Sequence, residues 1–267
     1  MTSNSQENIT VPTMAQYAAQ GKRPEILFWI GCISSFDDRA KKITKAFVRL
    51  LNKANIDFAV LGTEESCTGD PAKRAGNEYI FQMQAMINIK TLNGYGITKI
   101  VTACPHCFNT IKNEYPELGG HFEVIHHTQL LRSLMEEGRL KVEGGKFKGK
   151  RITYHDPCYL GRGNGEYEAP RDLLKKLEVE LVEMKRSRKT GFCCGAGGAQ
   201  FWKESEPGDK EINVDRVEEA IGIRPEIIAS GCPFCTNMLT DGIKAKNKED
   251  ELQMMDIAEM IANAADL

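Results

Sequence analysis

The stretch 229-ASGCPFCTNML-239 repeats the pattern of an earlier stretch, 101-VTACPHCFNTI-111. Each carries a Cys-Pro-x-Cys motif after a short apolar run, with an asparagine two residues past the second cysteine. The motifs lie 128 residues apart, and two cysteines upstream of each motif match at a spacing of 126 residues: Cys32 with Cys158, and Cys67 with Cys193. Agreement at these anchor points predicts that the chain holds two copies of one unit of about 125 residues.

Each copy alternates apolar runs typical of buried strands with segments whose apolar residues recur at helical spacing. The strand-like runs are 25-EILFWIG-31, 56-IDFAVLG-62, 98-TKIVTA-103 and 122-FEVIHH-127, then 151-RITYHD-156, 179-VELVEM-184 and 226-EIIAS-230. The helical segments are 40–54, 75–93, a short one within 105–113, and 128–137, then 170–177, 213–221 and 256–264. Such alternation predicts an α/β fold of two pseudo-symmetric, Rossmann-like halves with parallel sheets, the result of an internal duplication.

The expected organisation is a flexible N-terminal lead-in at 1–24 with a short helix near 14–19, a first cysteine-rich domain at 25–145 and a second at 150–267. The lead-in is polar and lacks the apolar region of a signal peptide. The longest apolar run is far shorter than the roughly 20 residues that span a membrane. We therefore expect a cytoplasmic protein that associates with membranes only through partners. A net charge of -2 without a basic cluster argues against nucleic-acid binding.

Nine cysteines in a chain without an export signal favour metal binding or redox chemistry over a disulfide framework. Four of them lie just past the C-terminal ends of predicted strands, at the sheet edge where open α/β folds bind ligands: Cys32, Cys104, Cys158 and Cys232. We therefore expect two clusters of thiols, one in each half. A thioredoxin-like redox pair does not fit, because such a fold has no need of the remaining cysteines.

The second half differs from the first by a pair of adjacent cysteines in 191-GFCCGAGGAQFW-202. A disulfide between neighbours would strain the peptide that joins them, so two thiolates directed at one metal centre are the better interpretation. Four thiolates in the first half would satisfy tetrahedral zinc, but the second half has five, and zinc has no use for a fifth. Spacing thus favours an iron–sulfur centre and leaves a zinc-stabilised binding or scaffold protein without redox activity as the alternative.

Five motifs resemble the cysteine-rich CCG domain, and the resemblance covers about residues 25–265: 155-HDPCYLGR-162, 192-FCCGAGG-198, 231-GCPFC-235, 64-EESCTGDPAKRAGNEY-79 and 103-ACPHCFNTI-111. That domain is found in heterodisulfide reductase and in iron–sulfur subunits of enzymes that oxidise glycolate, lactate and glycerol 3-phosphate. The resemblance implies an oxidoreductase, heterodisulfide-reductase-like, in which this chain is an iron–sulfur subunit for electron transfer or catalysis.

The resemblance also implies the ligands. A complete motif of this family holds a non-cubane 4Fe-4S cluster on five cysteines, here Cys158, Cys193, Cys194, Cys232 and Cys235. Any chemistry on this chain is expected at Cys193 and Cys194. The first half departs from the motif, because Ser66-Cys67 stands where the family has two cysteines. Its four thiols match the count for a second, ordinary cubane 4Fe-4S cluster: Cys32, Cys67, Cys104 and Cys107.

The expected partners follow from a missing motif. The chain lacks the C-x2-C-x2-C-x3-C signature of ferredoxins, so electrons would enter or leave through another polypeptide. We expect a ferredoxin-type iron–sulfur subunit as partner and a flavoprotein beyond it, as the resemblance implies.

The glycines beside the adjacent cysteines have two interpretations. Gly195, Gly197 and Gly198 are expected to let the backbone approach a cluster and to direct amides at its sulfurs. A phosphate-binding loop is the alternative, but the Lys-Ser/Thr of a P-loop is missing. We therefore assign these glycines to cofactor binding.

Other side chains near the motifs are candidates with structural alternatives. His155 and His106 are candidate proton donors or ligands, unless each is a structural imidazole. Arg162 and Lys203 would attract an anion or lie solvated at the surface. The aromatic pair 201–202 would cover the cluster, meet a partner or pack in the core.

Overall fold

The computed structural model describes residues 9, 11–205 and 207–267. In the first half the elements are α1 (Met14–Ala19), β1 (Ile26–Trp29), α2 (Cys32–Phe36), α3 (Asp38–Lys53), β2 (Phe58–Ala59), α4 (Asp70–Arg74), α5 (Glu78–Gly94), β3 (Lys99–Thr102), α6 (Pro105–Asn109), β4 (Glu123–His126) and α7 (His127–Glu136). In the second half they are β5 (Arg151–Tyr154), α8 (Glu168–Lys176), β6 (Glu180–Leu181), α9 (Ile212–Gly222), β7 (Ile227–Ser230), α10 (Pro233–Ala245), β8 (Gln253–Asp256) and α11 (Ile257–Ala264).

The two halves contain four-stranded parallel sheets of the same order, β2-β1-β3-β4 and β6-β5-β7-β8. The registers match as well: Phe28 of β1 lies opposite Val101 of β3, and Tyr154 of β5, 126 residues later, lies opposite Ala229 of β7. Alternate residues of β1 enter two different cores, as expected of a parallel sheet covered on both faces. The predicted α/β fold with two similar halves is therefore confirmed.

The halves meet through a layer of four helices. Helix α3 of the first half packs against α11 of the second half, and α8 of the second half packs against α7 of the first. Because α8 corresponds to α3 and α11 to α7, the two contacts are equivalent. Polar contacts reinforce the layer: Arg39 forms a bidentate ion pair with Glu259, with both N–O distances at 2.7 Å, and the buried His127 Nε2 lies 3.0 Å from Asp256 Oδ1. The two copies thus share both cores, because each core contains residues of both halves.

Two elements of the second half were not predicted. Strand β8 is four residues long, and 253-QMMD-256 carries neither β-branched nor aromatic residues that would mark it as a strand. It forms because every one of its residues pairs with β7. Helix α10 runs for 13 residues after the second Cys-Pro-x-Cys motif, whereas α6 ends after five and continues as a single π turn, Thr110–Glu114.

The segment expected as a flexible lead-in, 1–24, lies partly outside the described residues, namely at 1–8 and 10. Helix α1 stands where a short helix was predicted. Thr13 caps it in a capping box with Gln16 and also bridges to Val60, while Met14 is buried in the core. None of the described helices combines the length and the apolar character needed to cross a membrane.

Candidate metal centres at the sheet edges

All nine cysteines are free thiols, and they form one group in each half. The four that were predicted to follow strands do so: Cys32 begins α2, Cys104 caps α6, Cys158 follows β5, and Cys232 caps α10. Because the strands are parallel, their carboxyl ends share one edge of each sheet. Helices α6 and α10, which carry Cys107 and Cys235, begin at that edge, and the loops with Cys67, Cys193 and Cys194 return to it. The fold therefore builds two thiol groups from distant parts of the chain.

The first thiol cluster consists of Cys32, Cys67, Cys104 and Cys107. Cys67 interacts with Cys32, and this contact together with the Gly69 N–H lowers the pKa of Cys67 to about 7. The Cys104 and Cys107 thiols interact with each other. The two pairs lie side by side: Gly31 precedes Cys32 in the chain, and a Cβ at Gly31 would lie 3.2 Å from Cys107 Sγ. The four thiols thus converge beside a backbone that leaves no room for a side chain.

The second thiol cluster consists of Cys158, Cys193, Cys194, Cys232 and Cys235. Contacts run from Cys158 to Cys193, on to Cys194 and Cys235, and from Cys235 to Cys232. The neighbouring thiols, with the Gly195 N–H, lower the pKa of Cys193 well below its usual range, while the contact with Cys193 raises that of Cys158. All five thiols are therefore joined in one continuous set.

The backbone around Cys67 and Cys193 has the same geometry. The Gly69 N–H donates to Cys67 Sγ at 3.5 Å, and the Gly195 N–H donates to Cys193 Sγ at 3.3 Å. Both glycines have positive φ, +90° and +96°. The tripeptide Cys-Thr-Gly at 67–69 therefore matches Cys-Cys-Gly at 193–195. Alignment of Ser66 with a cysteine was wrong: the residue opposite Cys194 is Thr68.

Of the three glycines assigned to cofactor binding, Gly195 donates its N–H to Cys193 Sγ, and within the described part of the chain Gly197 and Gly198 make no such bond to a thiol. A Cβ at Gly195 would lie 3.2 Å from Ile212 Cβ and Met238 Cε, whereas a Cβ at Gly197 or Gly198 would meet no described residue within 4 Å. A cavity of about 500 Å³ opens beside Gly195. Its walls contain both basic and acidic side chains: Lys203, Lys210, Glu204, Asp209 and Glu211.

His155 lies inside the second cluster region and is completely buried. Its Nδ1 accepts from Arg216 Nε at 3.1 Å, so the proton of the neutral ring belongs on Nε2. Burial and Arg216 lower the pKa of His155 to about 3, which keeps the ring neutral at physiological pH. Its Nε2 has no hydrogen-bond partner among the described residues, and a ring nitrogen lies within 4.8 Å of the Cys194 and Cys235 thiols.

Trp29 occupies the equivalent position in the first half, 126 residues before His155. It too is completely buried, and its Nε1 has no partner among the described residues. It belongs to the same core cluster as Cys104 and Cys107. A buried N–H without an acceptor costs about 1–3 kcal/mol, so two such donors at matched sites indicate acceptors that the protein side chains do not supply.

His106 lies at the junction of the two clusters. Its Nδ1 is 2.9 Å from Asp70 Oδ2, and its ring centroid is 4.4 Å from that of Tyr159 and 4.9 Å from that of Phe234. Burial opposes its charge, but Asp70 and the thiolates of Cys104 and Cys232 raise the pKa of His106 to about 9. Phe234 stands at the matched position of the other Cys-Pro-x-Cys motif.

The remaining candidates lie around the second cluster. Phe201 packs edge-on against Phe234 at 5.0 Å and against Trp202 at 5.1 Å, so it covers the Cys-Pro-Phe-Cys turn, while Trp202 is exposed. Arg162 and Lys203 lie at the surface. Lys203 lines the cavity beside Gly195.

Sequence reasoning missed the acidic and basic groups that hold the cysteine loops. The Glu65 carboxylate accepts from the Gly31 N–H at 2.6 Å and the Ile30 N–H at 3.0 Å, and burial raises its pKa to about 7. Asp156 accepts twice from the buried Arg171, at 2.8 and 2.9 Å. The available signal was position: each acid lies two residues before a cluster cysteine, Cys67 or Cys158.

The donor set of both sites fits an iron–sulfur cluster. Thiolates are the ligands such clusters use, and backbone or ring N–H groups directed at sulfur are the usual second contacts. Both sites offer converging thiols, a glycine N–H and an unpartnered buried ring N–H. Tetrahedral zinc would leave one thiol of the second cluster without a role.

Comparison with known proteins agrees with this chemistry. The family model for the cysteine-rich domain CCG matches twice, at residues 26–112 and 152–240. Over 255 residues, 95% of this chain and 36% of the relative, the sequence is 46% identical to a probable iron–sulfur-binding oxidoreductase, FadF, of Bacillus subtilis. It is 45% identical to an EtfAB:quinone oxidoreductase of Syntrophomonas wolfei, over 91% of this chain and 35% of the relative.

A third relative is one of the subunits of the dihydromethanophenazine:CoB–CoM heterodisulfide reductase of Methanosarcina barkeri, 37% identical over 92% of this chain and 60% of the relative. The chain therefore spans between about a third and three fifths of the length of these relatives. A solved structure of a hypothetical protein from Helicobacter pylori has a TM-score of 0.53 at 8% identity, covering 91% of this chain and 49% of that one. That likeness concerns the fold alone.

Proposed function

The chain belongs to the cysteine-rich CCG domain family, and on that premise we propose that it is the iron–sulfur electron-transfer part of a heterodisulfide-reductase-like oxidoreductase. The second thiol cluster would hold a non-cubane 4Fe-4S cluster and the first an ordinary 4Fe-4S cluster. Support comes from the two matches to the family model and from relatives named as iron–sulfur or quinone oxidoreductases.

The observation that carries this proposal is the number of neighbouring thiols, five in the second cluster against four in the first. A structural zinc site needs four ligands, and a fifth buried thiol would only add a group to be desolvated. The difference in ligand number between the halves supports two centres with different properties. Electrons could then pass between them across the junction at His106 and Phe234.

When bound, an iron–sulfur cluster supplies a group that accepts and releases electrons at a potential set by its ligands, hydrogen bonds and burial. The chain's own residues would set these conditions. Cysteine thiolates would hold the irons, and the Gly69 and Gly195 amides donate to the Cys67 and Cys193 sulfurs. The Arg216 bond to Nδ1 leaves the His155 proton on Nε2, and the ring lies beside the Cys194 and Cys235 thiols, so this N–H would donate to a cluster sulfur.

The whole enzyme would include further polypeptide. The relatives are longer than this chain, and we infer that a ferredoxin-type iron–sulfur segment and a flavoprotein exchange electrons with it. An acceptor could approach the second cluster beside Gly195, through the cavity of about 500 Å³. The mixed acidic and basic walls of this cavity favour no single charge of acceptor.

Metal analysis tests the proposal. Anaerobically purified or reconstituted chain should contain about eight irons and eight acid-labile sulfides, four of each per site, and little zinc. Stoichiometric zinc without sulfide would overturn it in favour of the zinc-stabilised scaffold. About four irons, unchanged by Cys67→Ser but removed by Cys193→Ser, would restrict the redox function to the second half.

A further inference from the structure

Helix α5 is apolar on two opposite faces. Its inner face is buried against the first half's core and includes Phe81, Ala85 and Leu92. Its outer face carries large apolar side chains at helical spacing, between 42% and 74% exposed: Tyr79, Ile80, Met83, Met86 and Ile87. A helix that is apolar all round is normally buried, so the outer stripe is a surface that nothing in the described part of the chain covers.

The inner face of α5 is tied directly to the first thiol cluster. Asn88 Nδ2 donates to the Cys67 carbonyl at 3.0 Å, and its Oδ1 accepts from Ser66 Oγ at 2.9 Å. Phe81 closes over Gly69, since a Cβ there would lie 2.8 Å from Phe81 Cδ2. A molecule seated on the outer stripe would thus be separated from Cys67 by about one helix diameter, roughly 10–12 Å.

The equivalent helix of the second half does not have this stripe. On α9 the outward Glu218 pairs with Lys210 and with Lys246, and Glu219 pairs with Arg186. The duplication produced both helices, so the apolar outer face is specific to the side of the first cluster. A general requirement of the fold would have applied to both.

The size of the stripe indicates the kind of complex. Five partly exposed side chains amount to several hundred Å², about the largest patch of an ordinary monomer and less than the ~800 Å² per partner of a standard stable interface. Permanent dimers bury far more, whereas electron-transfer encounters lie at the low end of the range. Methionines in the stripe suit a surface that adapts to a partner.

We propose that the outer face of α5 docks a ferredoxin-type iron–sulfur polypeptide that exchanges electrons with the first cluster. The inference rests on the proposed function, because it takes the first thiol cluster to hold an iron–sulfur centre. The groove beside Ile87, lined by Glu64, Lys90 and Tyr95, extends the docking surface towards the C-terminal end of α5.

The test compares variants of the cluster-loaded chain with a reduced bacterial ferredoxin as the electron donor. Met83→Glu with Met86→Glu should lower the second-order rate of electron transfer at least ten-fold, because charges would have to be desolvated in the contact. Met83→Leu with Met86→Leu should keep the wild-type rate. Asn52→Glu with Gln253→Glu adds the same charge at exposed positions on α3 and β8 and should also leave the rate unchanged.

Iron and sulfide contents of the same samples separate the two levels of inference. Chain without iron and sulfide contradicts the proposed function itself. Loaded chain whose rate is unaffected by the glutamates, or is lowered equally by the control pair, overturns the docking surface alone. Sedimentation velocity adds one outcome: a wild-type dimer that the glutamates dissociate, with an unchanged rate, would assign the stripe to a second copy of this chain and overturn the proposal.

Discussion

The two halves share a backbone and differ in the groups placed on it. Around Cys67 and Cys193 the glycine N–H, its positive φ and the contact with the first cysteine of each half are the same. The next residue is Thr68 in one half and Cys194 in the other. A duplicated loop has thus kept its geometry while one half lost or gained a thiol, so ligand number can change without a change of fold.

A second difference lies where the halves meet. The first half contributes the polar pair Asp70 and His106, and the matched positions of the second half are Ala196 and Phe234. His106 and Phe234 are in ring contact, so a charged imidazole faces an apolar ring across the junction. The two centres therefore have different electrostatic surroundings as well as different numbers of thiols.

The largest expected effect is removal of the fifth thiol. Cys194→Thr would give the second half the ligand set of the first, and the spectroscopic signature that distinguishes the second centre should disappear from low-temperature EPR of the reduced protein. Thr68→Ser is the matched control and should leave both signals intact. An unchanged spectrum in Cys194→Thr would mean that Cys194 is not a ligand.

The reciprocal substitution tests which residue of the first half corresponds to Cys194. Thr68→Cys should add a fifth thiol to the first cluster and give its EPR signal the character of the second. Ser66→Cys should not do so, because the Ser66 side chain is directed at Asn88 rather than at the thiols. If Ser66→Cys were the variant that changed the signal, the match of Thr68 with Cys194 would be wrong.

Replacing a glycine that donates to sulfur by alanine should destabilise the protein more than the same replacement at a nearby glycine. Gly69→Ala combines a positive φ with a 2.8 Å approach to Phe81, whereas Gly195→Ala meets side-chain atoms at 3.2 Å. We expect losses of about 3 kcal/mol and about 2 kcal/mol of unfolding free energy, since positive φ alone costs about 1–2 kcal/mol. Gly197→Ala should cost less than about 0.5 kcal/mol. Urea unfolding of the metal-free chain measures this order, and equal losses at all three sites would contradict it.

The smallest expected effect concerns the buried ring donors. His155→Leu should lower the midpoint potential of the second centre, and Trp29→Phe that of the first, each by roughly 40 mV, the equivalent of one hydrogen bond of about 1 kcal/mol. His155→Gln keeps an N–H donor, so the midpoint potential of this variant should lie close to that of the wild type. EPR-monitored redox titration distinguishes this role from a structural one, which would change iron content without moving the potential.

Much of the fold could be predicted because the duplication is recorded in cysteine spacing and in short apolar runs. Strands β1, β3 and β7 lie within the predicted runs, and α5 and α7 lie close to the predicted helices. Strand β8 and helix α10 were missed, since β8 has no local strand signal and forms only by pairing with β7. The cysteines of both sites were identified, but Glu65 and Arg216 were not, because the sequence does not show whether a charged residue will be buried.

The repeat, the parallel α/β architecture and the nine thiols could all be inferred from the amino-acid sequence, because spacing and apolar periodicity are properties of the chain. The tertiary structure confirms that Thr68, not Ser66, stands opposite Cys194, as the 126-residue spacing of Cys67 and Cys193 already implies. It alone decided which ring nitrogens are left without partners, and that α5 exposes an apolar face beside the first cluster. These features arise from side chains that meet only after folding, and no local pattern encodes them.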